Sequence, residues 1–144
     1  MSQPIPMPVF GSQQAGLTYH SRLGAYGVVS NPMGQVAVLD LPDGCFLPGG
    51  ALRNGETHSE ALLRELGAQL AQAVEIHKLI AQADEYFTSQ PAGEPVYLQC
   101  NLYLLELPAS GDPPASQVSW LPPAEAIQRL SLACHAWAVR EVYE

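Results

Sequence analysis

The sequence predicts an α+β domain: a mixed β-sheet packed between two principal helices. Three observations lead to it. The segments 17–31, 35–41, 74–87 and 96–107 have the apolar and aromatic content of strands. The segment 56–70 instead places apolar residues at helical spacings, and 122–144 reads as a closing helix. A chain of 144 residues, 47% of them hydrophobic, forms one core that needs neither disulfides nor a structural metal. No internal repeat and no second domain interrupts it.

Residues 1–16 are rich in Pro, Gln and Gly and read as an extended arm or edge segment ahead of a domain at 17–144. LTYHSRLGAYGVVSN, 17–31, is strand material. NPMG at 31–34 is a turn, and QVAVLDL returns as a second strand, which makes a hairpin. PDG at 42–44 turns the chain into the short strand CFL, and PGG leaves it. In the helix at 56–70, Ala61, Leu62, Leu66 and Leu70 share one face, and Asn54 or Thr57 is placed to cap the start. VEIHKLIAQADEYF and VYLQCNLYLLEL are strands joined by the polar loop TSQPAGEP, the second of them buried. PASGDPPASQ is a loop and VSWL a short strand. Pro122-Pro123 opens the closing helix, where missing N–H donors do little harm.

Charge narrows the function. Lys plus Arg number 6 against 14 Asp plus Glu, a formal net charge of −8. Long nucleic acids need rows of cations and anionic membranes attract basic surfaces, so neither is an expected partner. A small anionic ligand stays compatible, because one metal ion or one helix N-terminus holds it locally. Cys45, Cys100 and Cys134 are odd in number and lack CxxC spacing, so they read as buried thiols of a reducing compartment. MSQPIPMPVF has no basic n-region, and no apolar run nears the about 20 residues of a membrane span. A cytoplasmic protein is expected.

Chemistry concentrates in LPGGALRNGETHSEALLRELGAQL, Leu47 to Leu70. Cleaving a P–O–P link needs a divalent metal to neutralise charge and polarise water, and magnesium asks for several converging carboxylates. A helix supplies them at i, i+3 and i+4, and a glycine turn entering it brings backbone groups close to metal and phosphate. Gly50, Glu56 five residues on, and Arg64-Glu65-Leu66 seven further stand at the spacings of G-x5-E-x7-R-E-U-x-E-E-x-G-U, with U aliphatic. The stretch therefore resembles the box of the Nudix hydrolases. The preceding hairpin, ADEYF at 83–87 and WLPPAEAIQRL at 120–130 extend the resemblance to most of the chain from Leu17 onward.

The resemblance implies a Nudix-like single domain, with Glu65 as the first metal-binding glutamate and the Gly49 carbonyl as a further ligand. Arg64 would hold Glu56, Gly49 and Gly50 would face the substrate, and magnesium or manganese would be the cofactor of an active enzyme. The implied ligand is a small nucleotide or diphosphate, and a homodimer is compatible. The sequence departs from the pattern where the paired acids belong, at Ala68 and Gln69, and again at Ala71, where the family has a helix-stopping glycine. Two unit charges about 4 Å apart interact by about 4 kcal/mol at an effective dielectric of about 20, so losing two carboxylates removes several kcal/mol of gross attraction for a cation. Gln69 retains one neutral amide oxygen as a ligand. The expected outcome is a weak or inactive site that binds or senses a ligand, and such a site needs no cofactor. The second reading is a divergent hydrolase in which Asp84 or Glu85 joins Glu65. His58 is a further candidate ligand, Glu60 is expected to pair with Arg64 or water, and Glu94 and Asp112 read as solvated turn acids. Tyr86 and Phe87 are candidates to stack on a base, Tyr97 reads mainly as packing and Tyr103 as core, and Trp120 and Trp137 as anchors. Cys134 and His135 are adjacent on a helix and diverge by about 100°, so they are no pair by themselves.

Overall fold

Across the described residues — 7–71, 74–90, 92–107 and 117–144 of a computed structural model — eight strands and three helices follow one another. The first half holds β1 (Val9–Phe10), β2 (His20–Ser30), β3 (Val36–Leu41), β4 (Gly44–Phe46), β5 (Gly49–Ala51) and α1 (His58–Leu70). The second holds β6 (Glu75–Ser89), β7 (Glu94–Glu106), β8 (Val118–Leu121), α2 (Pro123–Arg129) and α3 (Ala133–Tyr143). None of these helices is long and apolar enough to cross a membrane.

The sheet is mixed, as expected. Its order is β1-β6-β7-β2-β3-β4, with β5 beside β2 and β8 beside β3. The spine is β2 running parallel to β7, from His20 opposite Val96 to Ser30 opposite Glu106, while β6 lies antiparallel on the far side of β7. The predicted hairpin closes at Ser30 opposite Val36, where Asn31 Oδ1 accepts from the amides of Met33 and Gln35, both at 3.0 Å. Val9 and Phe10 of the N-terminal arm add a parallel edge strand beside Asp84 and Glu85.

Strand periodicity sends alternate residues to opposite layers. On one face Ala25, Val29 and Leu105 meet Leu62, Leu66 and Leu70 of α1. On the other, Val28, Leu98, Cys100 and Leu102 meet Cys134, Ala138 and Val139 of α3. Each fully buried leucine of α1 contributes at most about 1.5–3 kcal/mol by area removed from water. Trp120 packs against the first cluster, and Trp137 tilts against Phe10 with ring centroids 5.9 Å apart.

Helix α1 starts where the capping residues direct. Thr57 accepts from the Glu60 amide at 3.1 Å, and Glu60 Oε1 accepts from the Thr57 amide at 3.0 Å, a reciprocal capping box. Glu60 is thus a cap rather than a partner of Arg64. The expectation of one closing helix is corrected: the chain breaks between α2 and α3, with Leu130 and Leu132 extended. Two bonds to β4 explain the break. Ser131 N donates to Cys45 O at 2.8 Å, and Ser131 Oγ accepts from Cys45 N at 2.9 Å. A helical Ser131 could not face a strand edge with both groups.

Candidate functional site

The loop leading into α1 folds around Arg64. Its guanidinium grips Glu56 twice, Nε to Oε2 at 2.7 Å and Nη2 to Oε1 at 2.9 Å, while Nη1 donates to Glu65 Oε1 at 2.5 Å. A fourth contact, again from Nη2, reaches the Ala51 carbonyl at 3.2 Å. The bidentate fork suits arginine and would be lost with lysine. Glu56 also accepts from the Arg53 amide at 2.7 Å. The Arg64 side chain, then this amide, hold its carboxyl down at a pKa of about 2. The brace between loop and helix therefore stays ionised through the neutral and mildly acidic range.

Beside it, Gln69 takes up a position that its sequence place alone did not specify. Gln69 Nε2 donates to the Gly49 carbonyl and to Glu65 Oε2, each at 3.0 Å, while Oε1 accepts from the Gly49 amide at 2.9 Å. The Gly49 N–H requires an acceptor, which fixes which end of the amide points where. Both amide hydrogens and the amide oxygen are thereby used. The Gln69 oxygen, expected as a neutral ligand, accepts from the Gly49 amide here, and its N–H2 group sits between the Gly49 and Glu65 oxygens. Glu65 is left with one oxygen on Arg64 and the other on Gln69. Seating a divalent ion here would require Gln69 to swing away, leaving the buried Gly49 N–H unpaired at a cost of about 1–3 kcal/mol. As placed, the Gln69 amide occupies the Gly49 and Glu65 oxygens that a divalent cation would use.

The glycines explain how close these groups come. Gly49 has φ +140, and a Cβ there would lie 2.2 Å from the Ala25 carbonyl oxygen. At Gly50 a Cβ would lie 3.0 Å from the Glu65 carboxyl carbon. Any side chain at either position pushes the loop off the sheet or the carboxylate out of place.

A cavity of about 410 Å³ opens next to Gly49 and Gln69, with Tyr26, Phe46, Phe87, Arg22 and Glu85 among the residues of its wall. Phe87 and Glu85 share a strand face with this cavity. Asp84 and Tyr86 point to the other face of β6, where Tyr97 donates its hydroxyl to Asp84 Oδ2 at 2.5 Å and stacks on Tyr86 at 4.7 Å between centroids. Tyr19 closes this group edge-on to Tyr86 at 5.2 Å. Strand alternation thus separates the two adjacent aromatics proposed to stack on one ligand. Glu85 is buried and engaged: its oxygens accept from Ala133 N at 3.2 Å and Cys134 N at 2.8 Å, capping α3 from a different strand. Neither Asp84 nor Glu85 meets Glu65 in a hydrogen bond or ion pair among the described residues. His58 faces the Tyr103 hydroxyl at 3.5 Å, in a shallow depression away from Gly49. Glu94 is exposed at the start of β7, and Asp112, like the loop 108–116, lies outside the described residues.

Sequence reasoning missed several groups. Asp40 holds Ser119 Oγ at 2.6 Å and Arg129 Nη2 at 2.7 Å, tying β3 to β8 and α2. Cys100, Cys134 and His135 come within 4.8 Å of one another, all buried. Helical neighbours converge here because α3 is buried on more than half its circumference, not along one stripe. His135 Nδ1 already accepts from the Leu47 amide at 3.1 Å, so Nε2 carries the proton; a metal would displace the Leu47 bond at Nδ1 or the proton at Nε2. The bond with Cys100, and then burial, push the Cys134 thiol up, which favours neutral packed thiols over metal-binding thiolates. No local pattern reveals these groups: Asp40 meets partners 79 and 89 residues away, and Cys100 lies far along the chain from Cys134 and His135.

A glycine loop feeding a helix with an arginine-braced glutamate, set in a mixed sheet between helices, defines a Nudix-type domain. The chain belongs to the Nudix family: the NUDIX domain matches residues 20–144. Solved structures share the fold at low identity. They include Caenorhabditis elegans Ap4A hydrolase, with 18% identity, a TM-score of 0.65, and coverage of 85% of this chain and 96% of that one. Escherichia coli dihydroneopterin triphosphate pyrophosphohydrolase has 15% identity, a TM-score of 0.71, and coverage of 85% and 95%. A MutT protein from Methanosarcina mazei Go1 has 15% identity, a TM-score of 0.64, and coverage of 90% and 100%. No curated protein matches the sequence.

Proposed function

We propose that this chain is a Nudix domain with a degenerate hydrolase site, acting as a binding or sensing domain for a small nucleotide-derived molecule. The observation that carries the reading is Gln69 Nε2 between the Gly49 carbonyl and Glu65 Oε2, each at 3.0 Å. An amide that donates to both oxygens competes with a cation for them, and Ala68 adds no ligand. The similar folds of an Ap4A hydrolase and a dihydroneopterin triphosphate pyrophosphohydrolase support pyrophosphohydrolase ancestry and a ligand of nucleotide type. Glu56, Arg64 and Glu65 are assigned to bracing the loop, Gly49 and Gly50 to shaping the ligand cleft, and Phe87 to its wall. We assign residues 17–144 to the working domain and residues 1–16 to an appended arm. Three unpaired buried thiols support a reducing compartment, the cytoplasm.

A second reading has one observation in its favour. Glu85 borders the same cavity as Gly49 and Gln69, so a carboxylate is present there. A divergent pyrophosphohydrolase would need it released from the α3 amides to help hold a metal. Phosphate and nucleoside monophosphate release from a panel of nucleoside and sugar diphosphates, with magnesium or manganese, separates the two. Background release is expected. Metal-dependent turnover that disappears in Glu65→Gln would establish the second reading. With Ala68→Glu and Gln69→Glu combined, the degenerate-site reading expects a gain of metal-dependent thermal stabilisation.

A further inference from the structure

The cavity beside Gly49 has a charge pattern unlike that of a polyphosphate cleft. Among the described residues, the charged members of its wall are one guanidinium, Arg22, and two carboxylates, Asp43 and Glu85. Arg22 and Asp43 are exposed at the mouth and form no ion pair among the described residues. Much of the remaining wall is apolar and aromatic: buried Leu47 and Leu132 and half-buried Tyr26, Phe46 and Phe87. Burial raises the Tyr26 phenol above its ordinary range, so it remains a neutral donor and acceptor. Thr88, Ser89 and Gln90 add hydroxyl and amide groups at the rim. A concave space of this size, with aromatic walls and a few polar groups, is the form taken by small-molecule sites.

We propose that this cavity binds an uncharged heteroaromatic molecule of the nucleoside class, with the phosphate-free form preferred over the diphosphate. The proposal rests on the reading that Gln69 closes the cation position. Without a bound cation, each phosphate brings negative charge to a wall already acidic on balance, on a chain of net charge −8. A flat ring presents faces to Phe46 and Phe87, and the N–H or O–H groups of a base or ribose suit the exposed Asp43 carboxylate. Ordinary diphosphate clefts solve the charge problem with metal. Here the aromatic wall is kept and the metal position is filled by an amide.

The experiment is a calorimetric and NMR titration of the full chain in EDTA with adenosine, guanosine, cytidine and uridine, each beside its 5′-diphosphate. The expected result is at least one nucleoside that shifts the Phe46 and Phe87 signals and binds about tenfold tighter than its diphosphate, a gap that narrows with salt. Asp43→Lys, at an exposed position, is expected to fold normally and shrink the gap at least threefold, roughly the effect of a two-unit change in screened surface charge. Binding of the diphosphate as tightly as the nucleoside, shifts confined to another surface, or no binding by any of the four nucleosides overturns the proposal. Parallel samples with magnesium are assayed for phosphate release. Release there contradicts the degenerate-site reading, whereas a diphosphate preference without release contradicts the nucleoside assignment alone.

Discussion

At the scale of single residues, two side chains do what their types alone would not suggest. Gln69 uses its amide as a clamp on Gly49 and Glu65. His135 is fully buried and neutral, with desolvation holding its pKa down to about 3. Its linkage to stability has a definite sign. The folded pKa lies below the unfolded value of about 6.5, so the unfolded chain takes up a proton that the folded chain refuses. Stability is full above about pH 6.5 and is lost as pH falls toward 3, at up to about 1.4 kcal/mol per pH unit for this group. Urea denaturation from pH 7.5 to 4 is expected to show this loss. In His135→Asn, whose amide oxygen can still accept from Leu47, the slope is expected to fall by about one proton. An unchanged slope would mean His135 charges freely in the folded state. Glu56 behaves in the same sense further down. Its brace is present above the ordinary carboxylate range and is lost as pH falls through about 2.

At the scale of elements, α1 carries its peculiarities in plain view. Ala71 sits at its C-cap in the left-handed region, φ +55 and ψ 28, where glycine is the comfortable residue. Gly67 lies inside the helix with nothing within 4 Å of a Cβ position. Ala71→Gly and Gly67→Ala are each expected to stabilise the chain by about 0.5–1 kcal/mol, additively within error, as read by denaturant midpoints. A loss of stability in either would place hidden contacts at those positions. The apolar spacing of Leu62, Leu66 and Leu70 and the Thr57–Glu60 pair made α1 legible, because their interactions are local. The split between α2 and α3 was not, because bonds between Ser131 and Cys45, 86 residues apart, override the local continuity. Likewise ADEYF signalled a strand near the cleft, but only the pairing of β6 with β7 decides that Glu85 and Phe87 face it and Asp84 and Tyr86 do not.

At the scale of the whole molecule, the sheet is assembled around the parallel β2–β7 pair, with α1 on one face and α2 and α3 on the other. The edge strand β1 adds two residues, with Phe10 against Trp137. Deletion of residues 1–16 is expected to lower Tm by a few degrees, roughly the effect of 1 kcal/mol, and leave a cooperative transition. Loss of cooperative melting would make the arm part of the core. Fold class was readable from pattern and spacing, since both record which faces are buried. The site was readable only as far as Glu56, Arg64 and Glu65, because a missing acid announces the absence of a ligand but not what fills its place. The most direct measurement is a manganese titration of the native chain, following paramagnetic broadening of the Gly49, Glu65 and Gln69 NMR signals. With the Gln69 clamp in place, the broadening stays diffuse and unsaturated up to millimolar metal. Saturable broadening centred on those three residues at micromolar metal would contradict it.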